Sequence, residues 1–391
     1  MSIQRRSAMI LASAALLAPG LALAQSKTSS DVKLPNTLVW TAYDVGSSGY
    51  AQAVGIGSIM KNKAGTNLRV LPGKNDVSRL APLREGTGQF SATGSDNIYS
   101  QEAVFTFGEK EWGPQPIRLV MLNYADGAAV ALATAADANI KTLQDVKGKR
   151  VAWVRGAPAL NQAVTSMLAF AGLGWDDVVK VEFGGHGPTV DGIVNNEVDA
   201  FNNATFSALN QKIAASPRGI YYPPVPHKDV EGWKRLQAVV PWYEPLVATE
   251  GLGITKGGQE MAGVAYPVLV TYAKTSDDVV YNVTKAMDKF YDEYKASAPG
   301  ANGWAMNRQK WSKFVPYHPG AIRYYKEIGV WPKEQDAIQA QTLARQKTLI
   351  DAWAAYIKNA PADKEQFKQG WIKARADALK AKNMSVVFDT W

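Results

Sequence analysis

The stretch Lys149 to Gly172, KRVAWVRGAPALNQAVTSMLAFAG, decides the fold. Lys149 to Val154 is a short apolar run with β-branched and aromatic residues, which reads as a strand. Arg155 to Ala157 is a turn, and Pro158 sits where a first helical turn tolerates a missing N–H. Leu160, Val164, Met167, Leu168 and Ala171 then recur at i, i+4, i+7, i+8 and i+11, one face of a helix that Gly172 closes. The unit is therefore strand, turn, helix.

Working outward, the unit recurs on both sides. Downstream come a strand Val178 to Phe183, a glycine loop Gly184 to Gly187, a helix Thr189 to Asn195 and a strand Val198 to Phe201. Upstream, the strand Thr37 to Ala42 meets the glycine- and serine-rich Asp44 to Gly49, after which Ala53, Ile56, Ile59 and Met60 mark a helix. A strand Leu68 to Leu71, a helix Asp76 to Arg84 and a strand Phe90 to Thr93 follow. Paired strands Ile117 to Leu122 and Ala128 to Ala133 divide the two sets. Such β-α-β alternation predicts mostly parallel sheets covered by helices, in two similar α/β lobes. Beyond Pro267, a strand Val268 to Tyr272 leads into a helix capped by Ser276, with Val280, Val283, Met287, Tyr291 and Tyr294 on one face. The last third reads as helical, with packing stripes Leu343, Ile350, Trp353, Ile357 and Phe367, Trp371, Ala374, Ala378.

Composition removes whole classes of function. With 391 residues, 46% hydrophobic and 20% charged, the chain is neither disordered nor fibrous. Zero cysteines exclude disulfides and thiolate chemistry, and three separated histidines, His186, His227 and His318, leave little for a zinc cluster, so neither metal nor cofactor is expected. Arg5 and Arg6, the apolar Ala8 to Ala18 and the Ala22-Leu23-Ala24 end read as a secretory signal peptide over residues 1–24. Removing it lowers the net charge from +8 to +6, spread along the chain, which gives no nucleic-acid footprint. No later segment reaches the ~18 unbroken apolar residues of a membrane helix. Neither a phosphate-binding G-K-[ST] loop, nor the dinucleotide glycine spacing, nor a G-x-S-x-G elbow with a histidine partner occurs.

The candidate site follows from topology, because ligands of open α/β sheets bind where strands end and helices begin. Gly46-Ser47-Ser48-Gly49 would aim helix N–H groups at an anion, or simply form a tight turn. Ser95 and Asp96 end a strand at the same edge, with helix capping as the alternative. In the second lobe Arg155, Gly156 and Ala157 hold the matching turn, where a guanidinium could fork onto a carboxylate or point to solvent. Asn202, Asn203 and Thr205 offer amides and a hydroxyl. His186 could touch a ligand or cap its helix, and His318, Tyr324 and Tyr325 would pack the first lobe. Trp40, Tyr43, Trp153 and Tyr266 lie near strand ends that could face a flat ligand.

The order of motifs resembles the solute receptors of TAXI-type TRAP transporters. Tyr43 to Tyr50 (YDVGSSGY), Asp76 to Gly86 with Phe90 to Asp96, Asp145 to Val154 (DVKGKRVAWV), Val190 to Phe201 (VDGIVNNEVDAF) and Tyr317 to Tyr325 (YHPGAIRYY) carry it, across residues 37–331. Ser47, Ser48 and Lys74-Asn75-Asp76 depart from the family's usual residues. The resemblance implies a periplasmic binding protein of type II-like α/β fold, with no catalysis. Lobe 1 would take 25–124 and 262–331, lobe 2 125–261, and a helical C-terminal extension 332–391. Crossovers near Leu122 to Ala131 and Gly251 to Pro267 would form the hinge. It implies a monomer in the periplasm that captures a small organic anion, with Gly46 to Tyr50, Ser95, Asp96, Arg155 to Ala157, Asn202, Asn203 and Thr205 around it, and delivers it to TRAP-type membrane permease subunits. A periplasmic partner of a membrane sensor or an exported α/β enzyme are the alternatives at this point.

Overall fold

Strands at the centre of a sheet covered on both faces are buried along their length, whereas edge strands alternate. In the computed structural model, which describes residues 31–391, β1 (Thr37–Tyr43) is nearly all buried and β2 (Asn67–Gly73) mixes exposed and half-buried positions. Between them runs α1 (Ser48–Ala64), opened by Ser47, whose hydroxyl accepts the Tyr50 N–H at 3.3 Å, and closed by Gly65 at φ 72°. Next come α2 (Asp76–Glu85), opened by a reciprocal Asn75–Ser78 capping box, then β3 (Phe90–Thr93), α3 (Asp96–Glu102) and β4 (Ile117–Leu122). The signal-peptide expectation concerns residues 1–24, outside those described.

The second lobe holds β5 (Val130–Ala135), β6 (Arg150–Val154), α4 (Pro158–Phe170), β7 (Val179–Phe183), α5 (His186–Val194), β8 (Ala200–Ala204), α6 (Asn210–Ala214), β9 (Ile220–Tyr221) and α7 (Val230–Val239). A hairpin of β10 (Glu244–Ala248) and β11 (Gln259–Gly263) follows. The chain then returns to lobe 1 with β12 (Val268–Tyr272), α8 (Asp277–Lys289), α9 (Tyr291–Tyr294) and α10 (Pro319–Glu327), and ends in α11 (Glu334–Tyr356) and α12 (Lys364–Lys380).

The sheets have the orders β2-β1-β3-β12-β4 and β7-β6-β8-β5-β9. Both are mixed rather than mostly parallel: β12 runs antiparallel to β3 and β4, and β5 antiparallel to β8 and β9. A strand that arrives from the other lobe has no helical crossover to enforce parallel pairing. For the same reason Ile117 to Leu122 and Ala128 to Ala133 are not a pair. Their counterparts β4 and β5 lie in different sheets, joined by a crossing at 123–129, and the return crossing is 264–267. The described residues thus form the two α/β lobes and the helical extension that were expected.

Each lobe has its own core. Trp40, Phe90, Tyr99, Leu119 and Val283 pack lobe 1, while lobe 2 buries Val151, Met167 and Trp233 on one sheet face and Phe183, Ile193 and Phe201 on the other. The α11–α12 pair is held by Trp353 against Trp371, ring centroids 4.7 Å apart and nearly perpendicular. On α11 the buried face is not the apolar stripe expected, and on α12 Phe367 and Trp371 of the expected stripe are buried. Thr342, Gln346 and Leu349 are buried on α11 while Ile350 is exposed, and α12 buries Phe367, Trp371, Arg375 and Leu379. Polar partners rotate the helices: Gln346 donates to Ile117 O at 3.1 Å, and Arg375 donates to Glu102 O at 3.0 Å. Helix α8 also ends sooner than its stripe, and Ser276 makes no side-chain cap bond.

Candidate functional site

The C-terminal ends of both sheets meet across a narrow cavity, with about 510 Å³ of atom-free space when the part open to solvent is counted. Lobe 1 contributes Tyr43 at the end of β1, Ser47 and Ser48 at the start of α1, Gly94 and Ser95 after β3, and Tyr266 from the return crossing. Lobe 2 contributes Ala159 and Leu160 of α4, His186 of α5, Asn202 and Asn203 of β8, Ser207 and Tyr243. Among the described residues no Lys, Arg, Asp or Glu lines it. Burial pulls the His186 imidazole down to about 4, and its ring lies 5.5 Å from that of Tyr43.

Directly under Tyr43 lies a sealed cluster of charge. The Arg79 guanidinium carbon sits 3.5 Å from the Tyr43 ring centre, with its nitrogens 2.8 Å from Asp76, 3.1 Å from Asp96 and 2.6 Å from Ala92 O. Tyr43 donates its phenol to Asp76. One cation thus serves two buried carboxylates. Burial, reinforced by Asp76, pushes Asp96 up to about 7 even though Arg79 and the Gly94 N–H, at 2.6 Å, favour its ionised form.

The lobes are clasped along one rim. Asp76 accepts the Ala159 N–H of α4 at 2.7 Å, Asp44 the Gly187 N–H of α5 at 2.7 Å, and Lys74 O the His186 N–H at 2.9 Å. Gly185 permits that last approach, since a Cβ there would stand 2.8 Å from the Lys74 side chain. On the opposite rim Trp242 donates to Ser95 Oγ at 2.9 Å, and Lys310 pairs with Glu244 at 2.6 Å.

Inside, three buried polar atoms of the cavity wall make no hydrogen bond: Ser48 Oγ, His186 Nδ1 and Ser207 Oγ. The Tyr266 phenol lies close to Ser48 without completing a well-aligned bond, and burial pushes it up to about 12. Buried polar groups are normally satisfied, so an unpartnered set around one cavity marks groups that a bound molecule completes. The wall can donate to, accept from and stack on a small polar molecule. It offers no metal-ligand cluster among the described residues.

A model of the NMT1-like family matches residues 41–329. The chain belongs to the NMT1-like family. Among solved structures, this NMT1-like chain is similar to an ancestral arginine-binding protein bound to arginine, at 13% identity and TM-score 0.43, covering 69% of this chain and 99% of that one. It is also similar to the periplasmic aliphatic sulphonate binding protein of Escherichia coli, at 13% identity and TM-score 0.42, covering 91% and 90%. A periplasmic binding protein from Brucella ovis with glutathione bound aligns at 10% identity and TM-score 0.42, covering 66% and 68%.

Of the residues singled out in the NMT1-like sequence, the structure gathers Ser47, Ser48, Ser95, Asn202 and Asn203 on the cavity. Asp96 lies beneath it in the Arg79 cluster. Gly46 approaches Leu209 of the other lobe and Gly49 packs on Tyr266 and Pro267, while Tyr50 lies outside the lining. Thr205 is turned away, its hydroxyl accepting the Ala129 N–H at 3.1 Å. Arg155 is the main departure. Its side chain is 67% exposed, reaches Glu182 only at 3.9 Å and does not line the cavity. The carbonyls of Arg155 and Gly156 accept from lobe 1, from the Asn75 side-chain amide at 3.0 Å and the Val77 N–H at 3.2 Å, while Ala157 is buried in a small cluster with Tyr43. Of the flagged aromatics, Tyr43 and Tyr266 face the cavity, Trp40 is core against Phe90, and Trp153 meets Trp175 edge to face outside the cavity lining. Sequence reasoning missed Leu160, Ser207 and Tyr243. Ser207 lies two residues beyond the polar run that was read, and Tyr243 carries no local signal.

Proposed function

We propose that this NMT1-like protein is an extracytoplasmic solute receptor, which closes its lobes on a small organic anion and delivers it to a TRAP-type secondary permease. The observation that carries this reading is the interlobe cavity whose wall holds Ser48 Oγ, His186 Nδ1 and Ser207 Oγ buried without a well-formed hydrogen bond. The motifs shared with TAXI-type receptors support the transporter type, and the leader-like residues 1–24 support a periplasmic location. With Arg155 outside the cavity, the anion's receiver is the first turn of α1, where the Ser48 and Gly49 N–H groups have no intrahelical acceptor and the Ser48 hydroxyl stands beside them. Hinge closure then excludes water and strengthens those bonds.

Native mass spectrometry of the purified protein, followed by thermal shift against a carboxylate library, tests this. A ligand that binds only the folded state at a hundredfold excess over Kd adds roughly 2.7 kcal/mol of stability. Melting shifts confined to neutral sugars or amines would overturn the anion reading.

A further inference from the structure

Lobe 2 turns two helix N-termini toward lobe 1, the usual seats for a ligand's anionic group. Both are already occupied by the protein's own carboxylates: Asp76 on the Ala159 N–H of α4 and Asp44 on the Gly187 N–H of α5, each at 2.7 Å. Arg79, the cation beneath the cavity, is fully buried, roofed by Tyr43, and shared between Asp76 and Asp96. Its neighbourhood therefore carries no surplus positive charge to lend. What remains for an incoming anion is the start of α1, where Ser48 is buried with its hydroxyl unpartnered. Across the cavity, His186 Nδ1 and Ser207 Oγ are likewise buried and unpartnered, and the rest of that wall is amide, phenol and hydrocarbon.

We propose that the cavity selects solutes with one anionic group, seated on the first turn of α1, and an uncharged hydrogen-bonding body completed by His186 and Ser207. Dicarboxylates are excluded. A second carboxylate would be stripped of water against neutral groups and against the Asp76–Asp96 pair, with no counter-charge to repay its dehydration. Specificity of this kind comes from an unmet charge rather than from shape. The proposal rests on the receptor reading above and sharpens it.

The test is calorimetric titration of the mature protein, unfolded and refolded to strip any co-purified molecule, with pairs differing only at one end. Suitable pairs are 4-hydroxybutyrate against succinate, 5-hydroxypentanoate against glutarate, and 4-(hydroxymethyl)benzoate against terephthalate. The expected result is that at least one hydroxy acid binds, and that its dicarboxylate partner binds at least tenfold more weakly. Ser207→Ala and His186→Gln should each weaken the hydroxy acid several-fold, and no effect of either on the hydroxy acid would mean that these two groups do not meet the solute. Dicarboxylates binding as tightly as their partners would overturn this proposal while leaving the receptor reading intact. Binding by neither series, with a neutral or cationic molecule found by native mass spectrometry, would overturn both this proposal and the anion reading.

Discussion

Two buried charge clusters in lobe 1 are built from the same residue types in opposite proportion. Beneath the cavity one guanidinium, Arg79, serves two carboxylates, Asp76 and Asp96. Where the C-terminal extension docks, one carboxylate, Glu102, is served by two guanidiniums: Arg345 at 2.6 and 2.8 Å, and Arg375, which also donates to Glu102 O. The anchor is well satisfied, and its arginines hold Glu102 below the usual carboxylate range against the cost of burial. The cluster under the cavity is not: Asp96 Oδ2 and Arg79 Nε are buried without partners. A structural clamp can saturate its hydrogen bonds, whereas the floor of this cavity keeps an imbalance that a conformational or protonation change can use.

Breaking the anchor should have the largest effect. Glu102→Ala strands two guanidiniums, one of them fully buried, and should cost about 3–5 kcal/mol. It should also free α11 and α12 to rapid proteolysis near residue 332, read by limited digestion and melting temperature together. Persistence of an undigested extension would mean that Trp353 and Trp371 hold it without the charges.

Asp76→Ala comes next, at about 3 kcal/mol, because it leaves Arg79 with Asp96 alone and removes the acceptors of Tyr43 and Ala159. Unlike Glu102→Ala, it should also shift the lobes toward an open form, visible as a larger radius of gyration in small-angle scattering.

Asp96→Asn sharpens the contrast through pH at a stability change of about 1 kcal/mol. The folded carboxyl, near 7, keeps a proton that an unfolded carboxyl near 3.8 has lost, so its contribution is greatest in acid and fades as pH rises through about 7. His186, held near 4 against an ordinary 6.5, runs the other way and loses stability as pH falls through that interval. The two offset one another in the wild type. Asp96→Asn should therefore gain stability relative to wild type between pH 5 and pH 8, measured by melting temperature. A constant gap across that range would show that Asp96 does not titrate there.

The smallest effect belongs to Arg155→Ala, expected within about 0.5 kcal/mol of wild type and without change in ligand affinity, since its side chain faces solvent. A tenfold loss of affinity would mean that the arginine swings into the cleft with ligand bound.

Much of this fold was legible because strands and helices here obey their periods. β6 follows the reading Lys149 to Val154 within one residue, and α2 the reading Asp76 to Arg84 within one. Ser47, Ser48 and Ser95 were legible as strand-end residues. Pairing across lobes was not, because antiparallel β5 and β12 depend on where the chain returns rather than on their own sequence. Arg155 illustrates the same gap at the site: position in a turn sets where the backbone lies, and here Asn75 and Val77 from the other lobe hold that backbone while the side chain lies exposed. Nor could Asp76 and Asp44 be recognised as occupants of lobe 2's helix N-termini, since contacts 83 and 143 residues apart leave no mark on local pattern.

The clasp made by those two aspartates has a kinetic side. A cleft held shut by its own carboxylates, with a wall of largely buried residues, admits a solute only during the fraction of time the lobes part. Apparent affinity is then the intrinsic affinity reduced by that fraction, and the observed association rate rises with solute concentration only until it meets the opening rate, where it levels off. Loosening the Asp44 contact alone should raise that plateau, so residence time and capture speed can be tuned from the rim without touching a group that meets the solute.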